Sequence, residues 1–435
     1  MTTTTELVRA RRFLPLFVTQ LLGAFNDNLY KNAMVLFVVY SVYNSEEAEA
    51  QFSAIASAVF ILPFFLLSAL AGQLADMRDK ARIIRIIKLA EIAIMIVGGA
   101  GLVMAWQQMS VDAVAIPLML AALFAMGVHS TFFGPIKYAI LPQHLRPQEV
   151  LAGTGLVEAG TYIAILAGTI LAGWIPVEWA AGGVIITAMI GYAAGRKVPP
   201  APAQGIPEPL DFNLWRSSIA LIRKTMHDKR VFLAIAAISF FWTIGAVLFI
   251  QFPPLAKNTL SAGKEVASLF LVIFSVGVAL GSMSINALLK GTVSARYSPA
   301  SVIGMAVFLV LFEMVCRYWQ NDSPDRLMDV ATFIAQPLAP VLLLTLLGIA
   351  FAGGMFVVPL YAFLTTFVEK TQTARTIAAN NIVNSGAMVI GSLCALAMTA
   401  FGVDITDQLL VVAASCLIAA WMGYRLLVAE REALA

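Results

Sequence analysis

Apolar residues fall in long blocks along this chain, separated by short polar or basic turns. A helix needs about 20 such residues to cross roughly 30 Å of hydrocarbon. Blocks of that kind cover 13–43, 52–75, 83–106, 114–141, 150–174, 179–195, 231–256, 266–290, 300–319, 338–368, 376–400 and 407–428, which predicts twelve spans. The sixth is the shortest. The first carries Asn26 and Asp27 where a cleaved signal would be purely apolar, so it is expected to stay as an uncleaved anchor.

The pattern breaks once, between 196 and 230, into a Pro-rich run over 198–209 and a basic amphipathic segment from Leu214 to Arg230. Six spans lie on either side. The sequence LAGTGLVEAG at 151–160 aligns without gaps on IAANNIVNSG at 377–386, so span five repeats as span eleven. Gly23-Ala24 matches Gly245-Ala246, and Pro135 has a near counterpart in Pro359. The expected organisation is a bundle over 1–195, a cytoplasmic linker over 196–230 and a second bundle over 231–435. Repeats five and eleven run the same way, so the halves are parallel repeats about the membrane normal, as in the major facilitator fold. The fold class is therefore an all-α membrane protein of twelve transmembrane helices in two parallel six-helix repeats.

Composition agrees: 60% of residues are hydrophobic and 12% charged, where soluble domains carry about 25%. Basic residues resist translocation and mark the cytoplasmic side. Arg9, Arg11, Arg12, Arg78, Lys80, Arg82, Arg196, Lys197, Arg223 and Lys224 fall on one set of turns with most of the others, while the opposite set holds only Lys257, Lys264, Arg317 and Arg326. Both termini are expected in the cytoplasm. The formal charge of +3 reflects this topology and points to no nucleic acid. Cys316, Cys394 and Cys416 lie within spans without paired spacing, so no metal site or cofactor is expected.

Polar residues inside the spans carry the candidate chemistry. FNDNLYKN at 25–32 sits near the middle of span one. An ionised Asp there costs about 2.5–3.5 kcal/mol on insertion scales and needs a partner or a wet cavity. Asp27 and Lys31, four apart, can pair; alternatively, Asn26, Asn28 and Asn32 around them form a polar site. Lys137 and Tyr138 follow Pro135 at the end of span four, where a cation and a phenol could hold a phosphate or the lysine could snorkel to the interface. His129 is read as a packing residue. Glu158 lies about 15 Å into span five, opposite a neutral repeat partner, Asn384; it is either functional or a partner for Lys137 or Lys31.

The turn GQLADMRDKAR at 72–82 resembles the loop signature of the major facilitator superfamily. Gly72 would permit a tight turn, and Asp76 could pair with an arginine such as Arg78 or Arg82 to close the cytoplasmic side. More specifically, FNDNLYKN, GPIKYAILPQHL at 134–145 and LVEAGTYIAILAGTILAG at 156–173 resemble the bacterial lysophospholipid transporter family, with QFP at 251–253 and FSVGVALGS at 274–282 extending the similarity. The resemblance implies a transporter returning lysophospholipids across the inner membrane to the cytoplasmic leaflet, where an acyltransferase and acyl-carrier-protein synthetase system reacylates them. It implies headgroup-side roles for Asp27, Lys137 and Tyr138, with Asn26, Asn28, Lys31 and Glu158 as neighbours. Phe240, Phe241, Trp242 and Phe249 in span seven are candidates for the acyl chain.

The rival reading is an ion-coupled antiporter of a drug or other small amphiphilic metabolite. Span five lacks a proline and span four an arginine, features usual in drug antiporters of the superfamily. No nucleophile elbow, His-Glu metal motif or Walker loop occurs, so no enzyme is expected.

Overall fold

The structure is a computed structural model describing residues 4–42, 46–203, 209–319 and 327–432. Of the sequence expectations, Arg326 and part of the 198–209 segment fall outside these residues, as do the side chains of Lys257 and Lys264. The long helices are α1 (Leu14–Ser41), α2 (Glu46–Met77), α3 (Lys80–Trp106), α4 (Ile116–Ala139), α5 (Pro147–Trp174) and α6 (Val177–Gly195). After the linker come α7 (Lys229–Pro254), α8 (Lys264–Leu289), α9 (Ser298–Tyr318), α10 (Ala339–Thr366), α11 (Thr373–Ala400) and α12 (Ile405–Glu432). Each expected span, the short sixth included, is a helix.

Among the described residues, eleven of these helices are long and apolar enough to cross a membrane, by length and composition. The remaining one, α1, is diluted by the polar run in its middle, which makes it the helix that most needs partners.

Contacts divide the chain into two compact units. The first comprises Met1–Thr225 with Thr365–Ile382, the second Met226–Leu364 with Val383–Ala435. The linker is not all coil: Leu214–Thr225 is a helix, and it belongs to the first unit.

Within the first unit, close helix approaches are made through glycine. A Cβ added at Gly168 of α5 would lie 2.5 Å from the carbonyl oxygen of Phe25 on α1; lipid supplies no hydrophobic drive between helices, so such contact carries the packing. The chain preceding α1 is tied down by Arg12, whose guanidinium donates two 2.6 Å hydrogen bonds to Glu149. The same carboxylate accepts the Arg146 N–H at 2.9 Å, capping α5.

In the second unit an aromatic group joins α7, α8 and α9: Phe252 lies 5.7 Å from Phe270, and Phe270 lies 6.4 Å from Phe312. Arg317 bonds both Glu313, at 2.5 Å, and Asp407 of α12, at 2.7 Å.

Candidate functional site

The polar middle of α1 meets two charged helices. Asn26 is fully buried and donates to Glu91 Oε1 of α3 at 2.8 Å. Lys88, one turn earlier on α3, pairs with Glu91 Oε2, and His129 Nε2 of α4 lies 3.3 Å from the same oxygen. Next to it, Ser130 donates to Asp27 Oδ2 at 2.5 Å, with its Oγ 3.4 Å from His129 Nδ1. A chain of contacts thus runs Asp27–Ser130–His129–Glu91–Lys88 across three helices. Small residues make room for it: Gly191 of α6 and Gly23 of α1 face the Lys88 ammonium, where an added Cβ would sit 3.1 and 3.4 Å away.

Asp27 and Lys31 do not form an ion pair within 4.0 Å; the Lys31 ammonium stands 5.7 Å over the ring of Phe60, and the bonded partner of Asp27 is Ser130. The asparagines do not share one surface. Asn28 donates back to Ala24 O at 2.8 Å, and Asn32 to Asn28 O and to Thr169 Oγ1 of α5 at 3.1 Å. Asn28 and Asn32 therefore turn towards α5 and away from the Glu91 group. One carboxylate oxygen, Asp27 Oδ1, is buried without a hydrogen bond.

At the end of α4, Tyr138 donates to Glu158 Oε1 of α5. Glu158 Oε2 is buried and unbonded. The partner of Glu158 is thus the phenol, with neither Lys137 nor Lys31 within 4.0 Å. Lys137 lies 4.9 Å over the Tyr138 ring and is close enough to Glu158 and Asp27 to feel both charges.

Sequence reasoning missed Lys88 and Glu91 and assigned His129 to packing. The signal was present: two charges three residues apart inside the apolar block 83–106 fall under the rule that singled out Asp27. Ser130 gave no such signal, since a lone serine in a span usually bonds its own helix.

The aromatic candidates of span seven divide. Phe240, Phe241 and Trp242 are consecutive and so point about 100° apart. Phe241 is buried against Gly353, Trp242 Nε1 donates to Tyr361 OH at 2.9 Å, and Phe249 packs edge-on against Phe274 at 5.1 Å.

The segment 72–82 works differently from a turn. Gly72 lies inside α2, and its role is close approach: an added Cβ would meet Ala378 Cβ at 2.6 Å and Arg375 Cα at 3.0 Å. Asp76, fully buried, accepts the N–H groups of Ala374 and Arg375 at 3.0 and 3.1 Å. These belong to the first turn of α11, whose N–H groups have no partner within the helix and carry the positive end of its dipole. The arginine nearest Asp76 is Arg375, 3.8 Å away. Arg78 and Arg82 are exposed; the Arg82 N–H is capped by Asp79 at 3.1 Å. Beyond the spans, His144, which ends the short helix Leu141–His144 after α4, has its pKa lowered by burial, opposed by the carbonyl of Pro200.

The Major Facilitator Superfamily model matches residues 16–323. The lysophospholipid transporter LplT of Cronobacter sakazakii is 25% identical over 88% of this chain and 87% of its own length. The LplT of Salmonella gallinarum is 26% identical over 89% and 88%. Among solved structures, the outward-facing crystal structure of a bacterial homologue of the iron transporter ferroportin superposes with a TM-score of 0.71 at 13% identity, covering 96% of this chain and 99% of that one. The human organic anion transporter MFSD10 gives 0.73 at 13% identity, covering 95% and 99%. Multi-pass architecture, internal repeat and family match agree: this chain belongs to the Major Facilitator Superfamily, a family of membrane transporters with twelve helices in two repeats.

Proposed function

We propose that this transporter moves lysophospholipids across the bacterial inner membrane towards the cytoplasmic leaflet, by alternating access, supplying them for reacylation there. The observation that carries the reading is the pair of uncommitted ammonium groups in the first unit. Among the described residues, neither Lys31 nor Lys137 has a carboxylate within 4.0 Å. Both flank Asp27: Lys31 lies one turn, about 6 Å, along α1, and Lys137 lies seven residues, about 10 Å, beyond the Ser130 that bonds Asp27. Cations of this kind suit a phosphate, as charge-assisted donors, and Asp27 suits the amine of a zwitterionic headgroup.

The resemblance to proteins named lysophospholipid transporters, over nearly nine-tenths of the chain, supports the same cargo. The bias of basic residues to one side supports cytoplasmic termini. An acyl chain adds about 0.8 kcal/mol per buried methylene, so a single-chain lipid is held where its soluble headgroup is not. An acyltransferase and acyl-carrier-protein synthetase system would consume the product.

The test is purified protein in liposomes with labelled lysophosphatidylethanolamine, with and without ion gradients. The lysolipid is expected to move, and glycerophosphoethanolamine and diacyl lipid are not. Equal movement of glycerophosphoethanolamine would overturn the lipid reading. Lys137→Ala should slow anionic lysolipids at least as much as zwitterionic ones; silence for every headgroup would remove the phosphate contact and leave a snorkelling lysine.

A further inference from the structure

The linker helix Leu214–Thr225 has three distinct faces. Leu214, Ser217, Ser218 and Leu221 turn inward, and Leu221 packs with Ala69 of α2 and with Ala378, Ala379 and Ile382 of α11. At about 100° per residue, Trp215 and Ile219 form a second stripe beside that buried face. They are 61% and 58% exposed. Trp215 lies edge-on to Phe65 of α2, 5.6 Å between centroids, and Phe65 is itself exposed on a membrane-spanning helix. The apolar stripe is therefore continuous with the lipid-facing surface of α2.

The third stripe is cationic. Arg216, Arg223 and Lys224 lie with Ile219 and Ala220 along the open outer side of the helix. Arg216 is committed: it donates to both Asp211 oxygens, at 3.0 and 3.2 Å, and that guanidinium holds the Asp211 carboxyl below its usual pKa, so the pair is neutral overall. Among the described residues, Arg223 and Lys224 have no carboxylate within 4.0 Å. At the same 100° per residue, Arg223 thus borders an apolar stripe that includes an exposed tryptophan, and Lys224 follows about 100° further round the exposed side.

We propose that this helix is a binding site for an anionic phospholipid of the cytoplasmic leaflet, its phosphate on Arg223 and Lys224 and its glycerol and upper chain against Trp215 and Ile219. The site is separate from the Asp27 region and does not depend on what that region carries. Adjacent basic and apolar stripes with a tryptophan are what an in-plane interfacial helix requires. A soluble anion would use the cations and leave Trp215 and Ile219 in water. A protein partner would have to cover an apolar strip that already continues onto a helix facing lipid.

The test uses the full chain in phosphatidylcholine vesicles and follows the fluorescence of Trp215 as the difference between wild type and Trp215→Phe. Phosphatidylglycerol with brominated chains is expected to quench it at a mole fraction about 30-fold below that needed with brominated phosphatidylcholine. That factor corresponds to two basic residues at ~1 kcal/mol each. Arg223→Gln with Lys224→Gln should abolish the preference, while Arg223→Lys with Lys224→Arg should keep it and verify that the exposed face tolerates substitution. Equal quenching by the two lipids, or a preference that survives the double glutamine variant, would overturn the proposal. So would displacement of the lipid by millimolar glycerophosphoglycerol, which would mark a soluble-anion site. Trp215 unquenched by either lipid would place a covering partner or solvent there instead. None of these readouts requires transport, so they stand apart from the fate of the proposed cargo.

Discussion

The two halves solve the same local problem with different charge. In the first, Tyr138 of α4 donates to Glu158 of α5. In the second, Asn384 of α11 donates to Tyr361 of α10 at 3.4 Å, while Trp242 donates to the same phenol at 2.9 Å and Ser239 to Asn384 Oδ1 at 2.6 Å. Glu158 and Asn384 are aligned positions of the ungapped repeat. The repeat has kept a tyrosine bonded to this position and exchanged a carboxylate for an amide. Likewise, where the first half has Asp27, the second has Phe249, edge-on to Phe274. An amide and hydroxyls bond one another at little cost in a span, whereas a buried charge is expensive. The charge is concentrated in the half whose carboxylates keep unbonded oxygens, Asp27 Oδ1 and Glu158 Oε2.

That asymmetry can be broken most severely at Glu91. Glu91→Ala would leave the buried Lys88 ammonium, His129 and Asn26 without their common partner, and removing one member of a buried pair costs about 3–5 kcal/mol. Ser239→Ala in the second half removes a neutral hydrogen bond worth about 1 kcal/mol. Thermal unfolding in one detergent should separate the two clearly. Adding Lys88→Met to a Glu91→Gln background should recover much of the loss. A Glu91→Ala protein as stable as Ser239→Ala would mean that the charges of the first half are no more costly to orphan than the neutral network.

Next in size is transport by variants of Asp27 and Lys31. Each of Asp27→Asn and Lys31→Met removes a charge-assisted contact worth about 1.5–3 kcal/mol, hence about 10- to 100-fold in transport if the contact is with cargo. Asp27 bonds Ser130 and Lys31 faces Phe60, so the double variant should be at least as impaired as either single one. Normal transport of lysolipid by the double variant would make the two residues a removable structural unit.

A smaller effect is expected at the end of the helices that carries Asp76, where the halves also differ. Asp76 of α2 caps the first turn of α11, while the turn between α8 and α9 is held by Glu430 of α12, which accepts the Ala295 N–H at 3.1 Å and the Ser294 hydroxyl at 3.0 Å. Asp76→Asn keeps one acceptor and loses the charge at a helix N-terminus, about 1 kcal/mol. Cysteine labelling along the face that carries Asp76 should therefore rise for Asp76→Asn without loss of substrate binding. Labelling and transport both unchanged would reduce the segment 72–82 to a topology signal.

These comparisons also show what could be read along the chain. Span positions were legible because hydrocarbon thickness imposes a length on every apolar block, and even the diluted α1 was found between polar ends. The repeat was legible at 151–160 and 377–386 because Glu158 and Asn384 sit in similar small-residue surroundings. Partners were not legible. Asp27 lies four residues from Lys31, and helical spacing allows that pair, yet tertiary packing gives Asp27 to Ser130, 103 residues away. Gly72 looked like turn chemistry because Asp76 and the bases follow it; that it admits the backbone of α11 depends on a segment some 300 residues on. The amphipathic linker was visible as a pattern, but its inward face became definite only with Ala69 and Ala378 opposite Leu221.

The finest test of the comparison is the tyrosine pair. Tyr138→Phe leaves Glu158, a buried carboxylate, without the hydroxyl that bonds Oε1, and its other oxygen is already unbonded. Tyr361→Phe removes the shared acceptor of Trp242 and Asn384, but Asn384 keeps its bond from Ser239. A hydrogen bond to a charged group is worth about 1.5–3 kcal/mol and one between neutral groups about 1 kcal/mol; of the two bonds that Tyr361→Phe removes, the one from Asn384 is long at 3.4 Å, so Tyr138→Phe should lower thermal stability by at least as much. Glu158→Gln separates charge from hydrogen bonding: the amide still accepts from Tyr138, so stability should be kept or improved. Transport should fall only if the carboxylate itself meets the cargo or a coupling ion. Stability and transport that both survive Glu158→Gln would make the first half's glutamate a dispensable version of Asn384, and the charge difference at this position would carry no function.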